Sequence, residues 1–145
     1  MGEKSSHTLY LGLGSNLGDK RRLIEEAVCL LNDRVGRVTR KSSLIETEPW
    51  GFSSPNKFLN GCVACQTQLS PREALRETQE IEREMGRSVK SHDGVYHDRP
   101  IDIDILLYDD WQINDADLVV PHPKMKERNF VMIPLREICP DLSLC

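Results

Sequence analysis

An α+β fold with elements in the order βαββαβ is what this sequence predicts, and three observations predict it. Residues 99–108 alternate β-branched and apolar side chains with carboxylates at a period of two, which marks a strand rather than a helix. Ser70-Pro71-Arg72-Glu73 opens a helix, with Ser as N-cap, Pro at the first helical position and Glu at the third. Strand and helix patterns then succeed one another along the chain in the split βαβ order of ferredoxin-like domains. Antiparallel strands would make one sheet, with both helices on one face and loops over the other.

The first strand is Thr8-Leu9-Tyr10-Leu11-Gly12-Leu13-Gly14, followed by a turn through Ser15-Asn16-Leu17-Gly18-Asp19. Leu23, Ile24, Ala27, Val28, Leu30 and Leu31 then recur at helical spacing and leave Arg21, Arg22, Glu25 and Glu26 largely outward. The glycines fall as G-x-G-x-x-x-G, one residue too long for a dinucleotide fingerprint, and no Gly-Lys-Ser/Thr of a P-loop follows. The turn fits backbone donors brought to a ligand or simply a tight reversal, and both readings stand.

Residues 36–46 read as a second strand. Residues 47–57 hold two prolines, a glycine, two serines and the aromatics Trp50 and Phe52, so they form a loop. Its aromatics suit either a flat ligand or anchorage to the core. Residues 58–68 are the third strand. The helix that Ser70 opens has an inner stripe of Ala74, Leu75, Thr78, Ile81 and Met85 and ends at Gly86. Gln79 and Glu82 sit beside that stripe, where a solvated flank is their ordinary reading.

Residues 87–98 form a polar loop carrying Lys90, His92, Tyr96 and His97, and they deliver Arg99 to the last strand. Arg87 and Arg99 flank this loop as cations able to clamp phosphate oxygens. On the strand, Asp102 and Asp104 share one face and Ile101, Ile103 and Ile105 the other. Burial of each isoleucine contributes roughly 1.5–3 kcal/mol, so a one-residue slip that drove the carboxylates inward is strongly disfavoured. The two carboxylates stand about 7 Å apart at the backbone. That pairing fits either a solvated strand face or hard-metal binding, with magnesium carrying an anionic substrate the sharper reading.

After a turn at Asp109-Asp110, residues 111–113 and 117–120 read as short extended pieces. Pro121-His122-Pro123 holds a histidine between two residues of fixed φ, which makes His122 a ligand candidate. Residues 131–138 read as an apolar helix, with Pro134 near its start, that packs on the sheet.

A net charge of −4 argues against nucleic acid held by bulk electrostatics. No apolar run approaches the roughly 18 residues of a membrane span, so a cytoplasmic protein with no membrane partner is expected. Met1-Gly2 with Ser6 matches the loose acylation pattern only by coincidence. Five cysteines, an odd number, read as reduced thiols. Cys62 and Cys65 have ligand spacing but no accompanying pair, and an offset of three on a strand sends them to opposite faces, against a zinc site. At 145 residues the chain fits a single domain, residues 1–145.

Leu11-Gly12-Leu13-Gly14-Ser15-Asn16-Leu17, Glu48-Pro49-Trp50-Gly51, Phe58-Leu59-Asn60, the segment from Arg99 to Ile105, and Val120-Pro121-His122-Pro123 with Arg128-Asn129-Phe130 together resemble the 6-hydroxymethyl-7,8-dihydropterin pyrophosphokinase family. The resemblance implies transfer of diphosphate from ATP to the pterin hydroxymethyl group in folate biosynthesis. It implies two Mg2+ ions held by Asp102 and Asp104, with Arg87 and Arg99 neutralising the transferred group. It also implies ATP contacts from Gln79, Glu82, Lys90, Ile105, His122 and Arg128. Phe58 and Phe130 would sandwich the pterin, Thr47, Glu48, Trp50 and Asn60 would line its edge, and Tyr96 would close over it. The family often carries a second arginine shortly after Arg87, where this chain has Lys90, a point charge without the arginine fork. Tyr96 stands where a tryptophan is usual, and Pro123 where an aromatic often follows the histidine. The rival reading is a ferredoxin-like module that binds a nucleotide or RNA without chemistry. A silent homologue would be expected to lose one of Asp102, Asp104, Arg87 or Arg99, and all four are present. Small-molecule substrates are the expected partners, with a monomer as the simplest assembly.

Overall fold

The computed structural model describes residues 6–48, 57–86 and 100–139. The chain runs β1 (His7–Ser15), α1 (Lys20–Arg34), β2 (Gly36–Lys41), β3 (Ile45–Thr47), β4 (Phe58–Thr67), α2 (Pro71–Met85), β5 (Asp102–Tyr108), β6 (Ile113–Asn114), β7 (Val119–Val120) and α3 (Asn129–Ile138), with one 3-10 turn at Met125–Glu127. The main sheet has the order β2-β4-β1-β5, with β3 also paired to β4. Every pairing within it is antiparallel.

Local chemistry accounts for the helix starts. Asp19 caps α1 by accepting from Arg22 N at 3.3 Å, one residue after Gly18 turns the chain at φ +73°. Ser70 Oγ accepts from Glu73 N at 3.1 Å, and Glu73 Oε1 accepts from Ser70 N at 2.8 Å. That reciprocal pair is the capping box the sequence predicts.

Strand alternation splits the interior into two cores, one on each side of the sheet. Leu9, Leu11, Leu13, Val63, Cys65, Ile101, Ile103 and Ile105 point to one side and pack against Ile24, Ala27 and Leu31 of α1 and Ala74 and Ile81 of α2. Tyr10, Cys62, Ala64, Leu106 and Leu107 point to the other, where Met125 and Val131, Met132, Leu135 and Ile138 of α3 cover them. The predicted pair of helices therefore shares one face, and the third helix lies across the opposite one. Pro134 stands inside α3 and has no N–H to offer the Phe130 carbonyl one turn back.

Three irregularities depart from the expected strands, the smallest a register shift between Val38 and Arg40 in the β2–β4 ladder. The segment 36–46 is broken at residues 42–44 into β2 and β3, and the break keeps its hydrogen bonds: Cys62 N donates to Ser42 Oγ at 2.8 Å and Ser42 N to Cys62 O at 2.9 Å. In the β1–β5 ladder, Leu11 pairs Ile105 while Tyr10 pairs Leu107, so Leu106 is an extra residue. This bulge sends both Leu106 and Leu107 into the α3-side core and returns Tyr108 to the α1/α2 side.

Candidate active site

The α3 side of the sheet is filled at one end and hollow at the other. At the hollow end, Gly12 and Gly14 of β1 lie between Cys62 and Asn60 of β4 and Asp104 and Asp102 of β5, in direct register. Two residues without side chains, flanked on both sides by residues that have them, make a trough in the sheet. Gly14 is required by its neighbours, because a Cβ there would lie 2.8 Å from Asn60 Oδ1 and 3.4 Å from the Phe58 ring. At Gly12 a Cβ would meet only Leu106, at an ordinary 3.5 Å. Gly12 is thus dispensable for packing, and its bareness serves the open space above it.

Asn60 is buried at the trough wall, and its Nδ2 donates to Thr47 Oγ1 at 2.6 Å. That bond fixes which edge the amide turns to the hollow. Cys62 forms the floor beside it, with its Sγ 3.7 Å from Val131 O. Burial, with Glu137 and Asp104 adding to it, pushes the Cys62 thiol up to about 12. It is a neutral floor residue and no nucleophile.

Asp102 and Asp104 are half-buried and separate two spaces. On one side lies a hollow of about 20 Å³, bounded by the trough residues and by Phe130 and Val131 of α3. It has room for roughly one water and for no ring. On the other side lies a cleft of about 400 Å³ between β5, α2 and the β6–β7 hairpin, within the size range of small-molecule sites. Gln79 and Glu82 of α2, Ile105 of β5, Asp117, Leu118 and Val119 of the hairpin, and His122 line it. Glu82 does not sit in open solvent, as its helix flank suggested: its Oε2 accepts from Ile103 N at 2.7 Å, between the two aspartates.

The backbone around His122 is equally determined. His122 follows the cis peptide Val120-Pro121, its N donates to Leu106 O at 3.0 Å, and its Nδ1 accepts from Lys124 N at 3.2 Å. With Nδ1 accepting, the neutral ring carries its proton on Nε2. Burial and the charges of Arg128 and Lys124 lower the His122 pKa, against an opposing pull from Asp102, so the ring is neutral at pH 7. Arg128 is buried and places its guanidinium carbon 5.6 Å from the Phe130 ring centroid, within reach of a cation–π contact.

Of the residues singled out in the sequence, Asp102, Asp104, Gln79, Glu82, Ile105 and His122 meet at the larger cleft. Asn60 and Phe130 meet the same aspartates at the smaller hollow, with Thr47, Phe58 and Arg128 behind them. Glu48 is exposed, with its Oε2 3.6 Å from Lys57 Nζ, and lines neither space. Trp50, Arg87, Lys90, Tyr96 and Arg99 lie outside the described residues. Sequence reasoning passed over Cys62 and the hairpin residues Asp117, Leu118 and Val119. The strand register opposite Gly12 would have found the first, and the apolar residues just before Pro121 pointed to the second.

The pair of carboxylates fits magnesium. Among the described residues no group of three or more His, Cys, Asp or Glu side chains is placed to hold a metal ion. A closed structural site is therefore not formed by the described residues alone. Magnesium asks for less, one or two carboxylates with the rest of its shell from water and substrate phosphates, and two adjacent aspartates beside a cleft of this size meet that requirement.

Comparison with known proteins identifies the family. The sequence matches the family described as 7,8-dihydro-6-hydroxymethylpterin-pyrophosphokinase over residues 10–140. A 2-amino-4-hydroxy-6-hydroxymethyldihydropteridine pyrophosphokinase of Porphyromonas gingivalis is 52% identical over 133 residues, covering 91% of this chain and 90% of its own. The protein of that name from Bacillus subtilis is 44% identical over 131 residues, covering 90% and 77%. In a solved structure titled as HPPK-DHPS in complex with substrates, the likeness has a TM-score of 0.75 at 14% identity, covering 94% of this chain and 40% of that longer one, and it supports the fold alone. By this family match and these relatives, the chain belongs to the 7,8-dihydro-6-hydroxymethylpterin-pyrophosphokinase family.

Proposed function

We propose that this chain, acting as one domain over residues 1–145, transfers diphosphate from ATP to the hydroxymethyl oxygen of 6-hydroxymethyl-7,8-dihydropterin, a step of folate biosynthesis. The observation that carries the reading is the position of Asp102 and Asp104 on the wall shared by a nucleotide-sized cleft and a hollow framed by Asn60 and Phe130. The pterin oxygen forms a bond to the β-phosphorus of ATP. The bond from that phosphorus to the oxygen bridging it to the α-phosphorus breaks, AMP leaves with the bridging oxygen, and the hydroxyl proton passes to solvent. Reactions of this type need positioning and charge stabilisation more than covalent help.

Asp102 and Asp104 would hold two Mg2+ ions, which supply charge neutralisation to the triphosphate when bound. Gln79, Glu82 and Ile105 face the nucleoside end. His122, neutral and turned by Lys124 N, donates from Nε2 to phosphate oxygen, and Arg128 supports the same side. Phe130 and Phe58 take the pterin ring between them, and Asn60, oriented by Thr47, reads its amide edge. The hollow holds about one water, so Phe130 must shift to admit the ring. Arg87, Arg99, Lys90, Trp50 and Tyr96 take their roles from the family resemblance: charge neutralisation for the two arginines, an ATP contact for Lys90, and pterin contacts for Trp50 and Tyr96. Glu48 is assigned the pterin edge on the same basis. No helix among the described residues is long and apolar enough to cross a membrane, and the reaction is placed in the cytoplasm, with a monomer as the working unit.

Incubation with ATP, Mg2+ and the reduced pterin, followed by nucleotide chromatography, tests the assignment. AMP forms in proportion to pterin. Nucleotide turnover that ignores the pterin, or that yields ADP, refutes it.

A further inference from the structure

The wall of the larger cleft formed by the β6–β7 hairpin is weakly built. Its strands are two residues each, far short of what holds a hairpin by itself, and its turn is closed by Asp115 N donating to Leu118 O at 3.0 Å. Leu118 and Val120 are buried, which roots one strand in the core. The tip, Asp115 to Asp117, is exposed, and yet Ala116 and Asp117 line the cleft.

Arg72 holds that tip from outside. Its Nη1 donates to both carboxylate oxygens of Asp117, at 2.7 and 2.8 Å, and its Nη2 to Asp115 Oδ2 at 2.8 Å. Arg72 is the second residue of α2, a place where the helix dipole disfavours a cation. The helix gains nothing locally from an arginine there, so the reason for the residue lies across the gap. Exposed ion pairs contribute little to stability. A planar fork engaging two aspartates of one turn does something else, which is to fix where that turn sits.

Glu82, Asp102 and Asp104 already line this cleft, and Asp117 adds a fourth carboxylate. A polyanion entering such a space is repelled by each negative charge not balanced by a cation.

We infer that Arg72 is a positioning residue for nucleotide binding: by clamping Asp115 and Asp117 it sets the hairpin wall and cancels the Asp117 charge that would oppose a triphosphate. Arg72 does not line the cleft and acts only through the hairpin. The inference rests on the reading that the larger cleft takes the nucleotide.

Titration calorimetry with Mg2+ and a non-hydrolysable ATP analogue tests it, beside steady-state kinetics and thermal melts. Arg72→Ala raises the analogue Kd and the KM for ATP by about tenfold, equivalent to about 1.4 kcal/mol, with kcat changed less than about twofold and pterin affinity unchanged. Adding Asp117→Asn to Arg72→Ala recovers most of the loss, because the unbalanced carboxylate goes with it. Arg72→Lys, which keeps the charge without the fork, falls between. The inference is overturned if Arg72→Ala binds the analogue as the wild type does, if it weakens pterin and nucleotide equally in step with a lowered melting temperature, or if the double variant is no better than the single. Failure of the wild type to bind the analogue at all is a different result: it removes the nucleotide reading and this inference with it.

Discussion

The two faces of one sheet carry opposite assignments, and the same strands supply both. On the α1/α2 side β1 and β5 present Leu9, Leu11, Leu13, Ile103, Ile105 and, past the bulge, Tyr108, and two amphipathic helices pack against them. On the α3 side the same strands bury Tyr10, Leu106 and Leu107 at one end and read Gly12, Gly14, Asp102 and Asp104 at the other, where a single helix covers mainly β4. Apolar area packed at interior density sets stability. At its hollow end the other side gives up that packing to leave polar groups and space, so dense core and open polar face are separated by one residue of strand period.

Asp104→Ala should show the largest effect. It removes a carboxylate from the open side without touching the α1/α2 core, so the far-UV spectrum and the melting temperature stay near wild type. Turnover falls by about a thousandfold or more, the scale on which one centre of electrostatic stabilisation contributes. Single-turnover AMP release measures it, and near-normal turnover would erase the distinction between the faces.

Leu31→Ala is the reciprocal test from the covered side. Leu31 is fully buried against the sheet, and its truncation costs about 2–5 kcal/mol in urea unfolding. Activity per folded molecule is retained. A specific loss of kcat instead would mean that the covered side also shapes the site.

Gly12→Ala probes the open side from within. Only an ordinary contact with Leu106 awaits the new methyl group, so stability changes by less than about 1 kcal/mol. The methyl occupies the trough, however, and the KM for pterin rises by about tenfold, a plausible scale for a packed contact in a site. An unchanged KM would show that substrate never approaches β1.

The smallest effect concerns pH. His122 has a folded-state pKa below its ordinary value of 6.5, so the unfolded chain binds the proton first as pH falls. Stability is then lost progressively below about pH 6.5. His122→Gln removes that component, and its melting temperature should fall less than that of the wild type between neutral pH and pH 5.5. Parallel melts of the two proteins check the sign.

How much of this could be read beforehand varies with how local the cause is. The Ile–Asp alternation before Leu106 and the Ser70–Glu73 box are decided by residues within one strand or one helical turn, and both stand in the structure as the sequence implies. The bulge at Leu106 was hidden because residues 105–108 are apolar on both sides, which removes the alternation that would reveal a skipped position. The break at residues 42–44 contains neither glycine nor proline, and Ser42 Oγ substitutes for a ladder acceptor, so nothing local announces it. Within the site, Asp102 and Asp104 were legible from spacing. The trough was not, since it arises from the register of β1 between β4 and β5, a long-range fact.

The bond from Ile103 N to Glu82 Oε2 has a consequence beyond the cleft it borders. β5 ends the sheet, and outermost strands offer backbone donors on which another chain can grow. Here a side chain from α2 already occupies such a donor near the start of β5, and the hairpin lines the same cleft. The donor that Glu82 occupies is one fewer on which a further strand could pair, so the residue that lines the cleft also blunts the exposed edge beside it.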